Sequence, residues 1–260
     1  MRPVKIYSLE DIAARYVREK DFHNKIFSES TREKVGKYYS IFISSRKYVA
    51  SFLSANCNGK RVLEYGCGEG SHAFTLSQKG AIVTGIDISD TAIDHAGKIA
   101  GSEQLKNIDF CVMNAEHLEF KNNTFDLVCG TAILHHLNLE KAYSELSRVL
   151  KSSGQAIFME PLGHNPFINA YRKLTPAIRT VDEHPLMLTD IKLMSKYFLN
   201  VDVRYFYLLT LFAIPFRNTY FFNPMLKFLE KTDNMLFSLF PFLRRYAWYV
   251  VINISNPRKA

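Results

Sequence analysis

The most constraining feature of the sequence is a glycine-rich turn at residues 62–70, VLEYGCGEG, which joins a strand pattern to a helix pattern. Glycines at such a turn allow positive φ angles and let a ligand lie against bare main chain. The dinucleotide-binding fingerprint is G-x-G-x-x-G, but the spacing here is G-x-G-x-G, and Glu64 stands two residues before Gly66. Because a carboxylate at that position repels a pyrophosphate, the turn favours a ligand that carries an ammonium group.

Strand and helix patterns alternate after this turn. A second strand, over residues 81–87, ends in Asp87, which lies 21 residues after Gly66, where doubly wound nucleotide folds place a ribose-binding carboxylate. Further strands are predicted at 108–113, 125–130 and 155–159, and helices at 90–100 and 140–150, with a break at 152–154. This alternation predicts a parallel sheet with helices on both faces.

Five sequence blocks in this order resemble those of the class I S-adenosylmethionine-dependent methyltransferases. They are VLEYGCGEG, GIDIS, MNAEHLEF, FDLVCGTAILHHL and RVLKSSGQAIFMEP, and they cover roughly residues 60–160. The match is closest to the branch that acts on small molecules and lipids, the type 11-like methyltransferases. The resemblance implies an α/β, Rossmann-like, doubly wound seven-stranded sheet, mostly parallel with a terminal antiparallel strand. It also implies an enzyme that uses S-adenosyl-L-methionine as its methyl donor and transfers the methyl group by in-line displacement.

The resemblance also assigns cofactor-binding roles, and only to positions that match the family's motifs. Those positions are Glu64, Gly66, Gly68, Asp87, Ile88, Asn114, Ala115, Gly130 and Thr131. The first three are expected to hold the methionine portion, the next two the ribose and adenine, and the last two the region near the amino group. Asn114 departs from the family's usual Asp, although its amide oxygen can still accept a hydrogen bond from adenine.

Charge is distributed unevenly along the chain. Residues 1–60 hold 12 Lys and Arg against 6 Asp and Glu, residues 61–160 hold 8 against 13, and residues 161–260 hold 13 against 6. We therefore divide the chain into an N-terminal helical lid and substrate segment at 1–58, a cofactor-binding core at 59–160 and a substrate-selecting part at 161–260. Basic flanks favour an anionic acceptor, an anionic membrane surface or RNA, and solvated charge that only maintains solubility explains them equally well.

The N-terminal flank predicts two helices, at about Leu9 to Arg18 and Thr31 to Phe52. Aromatic residues enrich one side of the second helix. Most of them are expected to pack on the sheet, whereas Tyr38 or Tyr39 is a candidate for contact with the substrate. In the resembling family, such helices close the site from water.

The C-terminal flank combines a polar loop at about 175–185, two strands at 201–209 and 247–254, and an oily insertion at about 210–244. No apolar run in the insertion reaches the roughly 20 residues that a membrane-spanning helix needs. The insertion is therefore a hydrophobic cap over the acceptor pocket, a membrane-surface contact, a homodimer interface or an ordinary extension of the core. We favour the cap, as a cover for a small acceptor that is amphiphilic or anionic, of natural-product, isoprenoid or lipid type.

An acceptor that must lose a proton needs a base. The catalytic candidates near the expected mouth of the sheet are His135, Glu160, His164 and His184. His135 is preferred over its neighbour His136, since adjacent helical residues point about 100° apart. Arg172 and Arg179 are candidates for binding a phosphate or carboxylate of the substrate.

The four cysteines, at positions 57, 67, 111 and 129, form no C-x-x-C pair, which favours a reduced, cytoplasmic setting and predicts no metal site. The N-terminal sequence shows no signal-peptide pattern. Two alternatives stay open: an RNA methyltransferase or RNA-binding protein, and a non-catalytic cofactor-binding scaffold. The sequence contains no RNP motif, which disfavours the first alternative. The intact glycines, together with Glu64 and Asp87, disfavour the second.

Overall fold

The computed structural model describes residues 9–29, 40–176, 179–180 and 182–259. Its strands are β1 (Arg61–Tyr65), β2 (Ile82–Asp87), β3 (Ile108–Val112), β4 (Phe125–Thr131), β5 (Leu150–Pro161), β6 (Phe198–Phe206) and β7 (Tyr249–Pro257). Its α-helices are α1 (Leu9–Glu29), α2 (Ile43–Asn56), α3 (Ala73–Gln78), α4 (Asp90–Ser102), α5 (Leu139–Val149), α6 (Pro166–Leu174), α7 (Leu188–Leu193) and α8 (Phe222–Leu239). Tyr38 and Tyr39, the aromatic substrate candidates, lie outside the described residues.

The seven strands form one sheet in the order β3-β2-β1-β4-β5-β7-β6. The first five strands pair in parallel, and β7 runs antiparallel to both of its neighbours. The predicted fold class, a doubly wound and mostly parallel sheet with an antiparallel strand near its end, is confirmed. Strand order reverses between β1 and β4, and ligands of such sheets bind in the crevice at the carboxyl ends of the strands beside this point.

Local sequence explains most of the element boundaries. Ser89 caps α4 by accepting a hydrogen bond from the Ala92 N–H, and Asn138 caps α5 in the same way from Lys141. The predicted break at residues 152–154 is wrong, because β5 continues through these residues, with an irregularity in its pairing with β4. Helix α1 runs 11 residues beyond the predicted end at Arg18, to Glu29.

The oily insertion is helical and lies at the β6 edge of the sheet, where α8 packs against β6 and against a 3₁₀ helix, Leu209–Phe216. Asp233 is buried and holds the two helices together by accepting hydrogen bonds from the Leu208 and Leu209 N–H groups. The apolar residues of α8 divide into those that pack on the core and those, such as Phe228, that remain exposed. Within the described ranges, no helix combines the length and apolarity that crossing a bilayer requires.

Candidate active site

The glycine-rich turn has the strained backbone that its sequence predicts. Gly66 and Gly68 adopt φ angles of +72° and +53°, a region that side-chain-bearing residues rarely enter. A Cβ atom on Gly66 would lie 2.7 Å from Cγ1 of Ile133, so the turn has no room for a side chain. Asp87 completes the turn, because its Oδ2 accepts a hydrogen bond of 2.8 Å from the Gly68 N–H.

Glu64 lies behind the turn. Its two carboxylate oxygens accept hydrogen bonds of 2.8 Å from the N–H groups of His72 and Ala73 at the start of α3. Burial raises the pKa of Glu64 to about 8, against the opposing effect of these two N–H donors. The Glu64 side chain is not among the described residues that line the cavity at the turn. Its contacts in the structure are therefore with α3, and its predicted role in holding the methionine portion stays a prediction.

The adenine side of the predicted site is formed by the ends of β2 and β3. The Asp87 Oδ1 accepts a hydrogen bond of 2.9 Å from the Ser89 N–H, which places Ile88 on the cavity wall. Asn114 also lines the cavity, together with Ala115, and its Oδ1 accepts a hydrogen bond of 2.8 Å from the Glu116 N–H. The Asn114 oxygen that was expected to accept a hydrogen bond from adenine thus already accepts one from the backbone.

The end of β4 lies close to the glycine turn. Thr131 lines the cavity, and its Oγ1 lies 3.1 Å from Nε2 of His72. Gly130 lies behind it, where a Cβ atom would approach the Tyr65 carbonyl oxygen to 2.8 Å and Cδ1 of Phe158 to 2.9 Å. Gly130 is thus required for close packing of β4 against its neighbours.

One cavity of about 1080 Å³ joins these groups to the region beyond β4. Its walls include Gly66, Gly68 and Asp87 at one end and His135, Arg172 and Arg179 at the other. Small-molecule sites occupy about 300–1,000 Å³, so this volume is large enough for two ligands to lie side by side.

His135 is the one predicted base in the described part of the chain that lines the cavity. It belongs to a 3₁₀ helix, Leu134–His136, and its Nδ1 lies 2.8 Å from Oε2 of Glu160. The other oxygen of Glu160 accepts hydrogen bonds of 2.8 Å from the N–H groups of Ile133 and Leu134. Glu160 is fully buried, and burial raises its pKa to about 7, while burial lowers the pKa of His135 well below its usual range. Glu160 therefore orients His135 and the loop that carries it.

Of the other predicted catalytic and substrate-binding residues, some line the cavity and some do not. Among described residues, His164 and His184 are absent from the cavity wall; the first accepts a hydrogen bond from the Leu188 N–H, and the second lies beside the Asp182 carbonyl. Arg172 and Arg179 do reach the cavity, where both donate to Oε1 of Glu183, at 2.6 and 3.1 Å. The Nε of Arg179 is buried without a hydrogen-bond partner.

Helix α1 lies over the cavity, in the segment for which the sequence predicted a helical lid, but no motif indicated which of its side chains reach the cavity. Several of its side chains are tied to the core, among them Arg15 to Glu116, Arg18 to Asp182 at 2.9 and 3.0 Å, and Asn24 to Ser89 at 2.6 Å. The described residues that line the cavity include many from α1 and none from the insertion at 210–244. The insertion covers the sheet edge, and α1 takes the covering position that was expected of the insertion.

Comparisons with known proteins match part of this chain to methyltransferases. Residues 63–158 match a family model described as a methyltransferase domain. Aklanonic acid methyltransferase DauC of Streptomyces sp. (strain C5) is 33% identical over 45% of this chain and 56% of its own length. The ubiquinone biosynthesis O-methyltransferase of Coxiella burnetii is 34% identical over 43% of this chain and 47% of its own length. The chain thus spans about half the length of these curated relatives.

Two solved structures show the same fold. Phosphoethanolamine N-methyltransferase 2 of Haemonchus contortus has a TM-score of 0.65 at 19% identity, over 92% of this chain and 60% of that one. Geranyl diphosphate C-methyltransferase of Streptomyces coelicolor A3(2) has a TM-score of 0.58 at 14% identity, over 81% of this chain and 80% of that one. At these identities the likeness concerns the fold alone.

Proposed function

We propose that this chain is a class I S-adenosylmethionine-dependent methyltransferase that methylates a small organic acceptor, and the match of residues 63–158 to a methyltransferase domain supports this. The observation that carries the proposal is the single cavity of about 1080 Å³, which connects the glycine turn and Asp87 with the wall around His135. S-adenosylmethionine supplies an electrophilic methyl group when it is bound. The turn, Asp87, Ile88 and Asn114 are the residues that would hold it.

Methyl transfer by in-line displacement depends on alignment of the nucleophile behind the methyl carbon. Well-oriented reactants gain about 7–11 kcal/mol from such positioning. Contacts of Arg15, Arg18 and Asn24, among others, hold α1 over the cavity, so this helix would exclude water and fix the acceptor. The lid role that was predicted for the N-terminal segment is therefore assigned to α1.

His135 is the residue that we assign to proton removal from the acceptor. We assign the proton of the contact between His135 and Glu160 to Nδ1 of His135, which then donates to Oε2 of Glu160, while Oε1 accepts from two backbone N–H groups. The Nε2 atom is then the nitrogen that can accept a proton from an acceptor in the cavity. Glu160 acts through His135 as a positioning residue.

The walls of the acceptor end support an amphiphilic, anionic acceptor. Arg172 and Arg179 share one carboxylate, that of Glu183, so a net positive charge remains there. The opposite wall is apolar and includes Phe22, Ile26 and Trp248. The relative that acts on aklanonic acid and the structural neighbour that acts on geranyl diphosphate have acceptors whose names also state an acidic group.

The experiment is incubation of the chain with methyl-labelled S-adenosylmethionine and a cellular extract separated into lipids, polar small molecules and RNA. We expect label in an acidic, organic-soluble compound. Label confined to RNA would favour the RNA methyltransferase alternative, and failure to bind the cofactor in calorimetry would favour the scaffold alternative.

The anionic group of the acceptor is tested by a pair of variants. Arg179→Met should raise KM for the identified acceptor roughly tenfold, because one charge-assisted hydrogen bond contributes about 1.5–3 kcal/mol. Lys173→Met is the matched control, since Lys173 is exposed near the end of α6. Equal KM values for the two variants would contradict the assignment of the anion site.

A further inference from the structure

Three side chains that could bind a metal ion meet on the cavity wall. Glu19 and His23 lie one turn apart on α1, and His136 comes from the 3₁₀ helix after β4. Oε2 of Glu19 lies 3.1 Å from Nδ1 of His136 and 3.6 Å from Nε2 of His23. One ligand atom from each residue lies within 4.8 Å of the other two, and all three residues line the cavity.

The Glu19 carboxylate is buried, and its contacts with the two imidazoles have ion-pair distances but poor hydrogen-bond geometry. Its side chain is 7% exposed, and Oε2 lies near Nδ1 of His136 and Nε2 of His23. Among the described residues, no hydrogen bond of good geometry reaches either oxygen of Glu19 or Nδ1 of His136. A buried carboxylate in this state is costly, and a cation held between the three side chains would satisfy it.

The spacing of the atoms fits a metal ion. A tetrahedral ion with bonds of about 2.0–2.2 Å separates its ligand atoms by roughly 3.4 Å, and the distances of 3.1 and 3.6 Å from Oε2 of Glu19 bracket this value. Two imidazoles and one carboxylate are a ligand set of catalytic zinc sites, which leave the fourth position open. We propose that Glu19, His23 and His136 bind a divalent transition-metal ion, Zn²⁺, at the acceptor end of the cavity.

Two neighbouring groups have other partners. Oε1 of Glu183 accepts hydrogen bonds from Arg172 and Arg179, and Nδ1 of His135 is held by Glu160, so we assign the fourth position to a ligand in the cavity. If the proposed methylation is correct, an oxygen of the acceptor would take this open position, and the ion would lower the pKa of that oxygen as a Lewis acid. The ion also joins α1 to the loop after β4.

The test uses the full, untagged chain. After removal of metal with dipicolinate, it is titrated with Co²⁺ by visible spectroscopy and with Zn²⁺ by calorimetry. We expect one ion per chain and a visible Co²⁺ band of the kind that low-coordinate nitrogen and oxygen sites give. Glu19→Gln and His23→Gln should each weaken binding at least tenfold, since loss of even an outer-shell partner costs about 10–100-fold. His95→Gln is the control, because His95 is half-buried on α4, is not among the described residues that line the cavity, and pairs with Glu69.

Two results would overturn the proposal: a wild-type chain that binds neither ion, or variants that bind as tightly as the wild type. The cluster would then be an ion pair that fastens α1. Binding of S-adenosylhomocysteine is measured in the same samples without metal. A chain that binds this product but no metal refutes the metal site alone, whereas a chain that binds metal but no product refutes the proposed function alone.

Discussion

The two ends of the cavity are built in different ways. At the cofactor end, the side chains of Glu64 and Asp87 bind backbone N–H groups of the neighbouring turn and helix, so a short segment of sequence makes its own structure. At the acceptor end, Glu19, His136 and Glu183 come from three distant segments and line the same cavity only in the folded chain. The comparison teaches that the proposed cofactor site is built from local sequence, whereas the proposed acceptor site depends on tertiary structure.

The largest effect is expected from His135→Gln, which removes the proposed base but keeps a side chain of similar size. General bases contribute about 10²–10⁴-fold, so kcat should fall by that factor, while affinity for S-adenosylmethionine measured by calorimetry should stay unchanged. His184→Gln is the control, because the His184 side chain lies away from the cavity and only its backbone N–H binds the His135 carbonyl. An equal loss of turnover in both variants would contradict the assignment of His135 as the base.

Asp87→Ala tests the opposite end. Asp87 holds the Gly68 and Ser89 N–H groups and lines the cavity. We expect affinity for S-adenosylhomocysteine to fall roughly 100-fold, since hydrogen bonds to a charged group contribute about 1.5–3 kcal/mol each. Asp94→Ala is the control, because Asp94 is exposed on α4 and pairs with Lys98. A normal affinity in Asp87→Ala would show that the turn does not hold the cofactor.

The sequence predicted the local structure around the glycine turn well and the arrangement at the other end of the cavity poorly, for physical reasons. The glycine turn, Asp87 and the alternation of strands are local patterns, so their positions followed from spacing alone. The site at Glu19 and His23 was missed because α1 was expected to end at Arg18, and residues four apart on a helix indicate a site only when a third ligand is near. That ligand, His136, is more than 110 residues away along the chain. His164 and His184 were proposed from their loop positions, and no local pattern fixes where a loop side chain points.

Alanine substitutions at two glycines test the difference between tight packing at the cofactor end, at Gly130, and an open helix surface, at Gly97. Gly130→Ala would place a Cβ atom 2.8 Å from the Tyr65 carbonyl oxygen, and overpacking of this kind costs about 1–3 kcal/mol. Gly97→Ala in α4 meets nothing within 4 Å and should increase stability by about 0.5–1 kcal/mol, because alanine favours a helix. Urea unfolding of both variants measures the difference. A Gly130→Ala protein as stable as the wild type would mean that β4 can shift, and that the close packing behind the cofactor end is not required.

The last effect concerns Glu64 and is seen as a dependence of stability on pH. Burial raises the pKa of Glu64 to about 8 from 4.5, so between these pH values the folded chain holds a proton that the unfolded chain has released. This contribution to stability is fully present below the lower value and is lost as the pH rises through the higher one, at about 1.4 kcal/mol per pH unit at most.

Glu64→Gln lacks this titration, and subtracting its free energy of unfolding from that of the wild type cancels the other titrating groups. We expect the difference to fall between pH 5.5 and pH 7.5, in urea unfolding at 25 °C. Parallel curves would show that Glu64 is ionised in the folded chain, as an ammonium-binding carboxylate must be. The measurement therefore decides between two roles of Glu64. The sequence predicts a carboxylate that attracts the methionine ammonium, whereas the contacts with His72 and Ala73 favour a neutral group that fixes the first turn of α3.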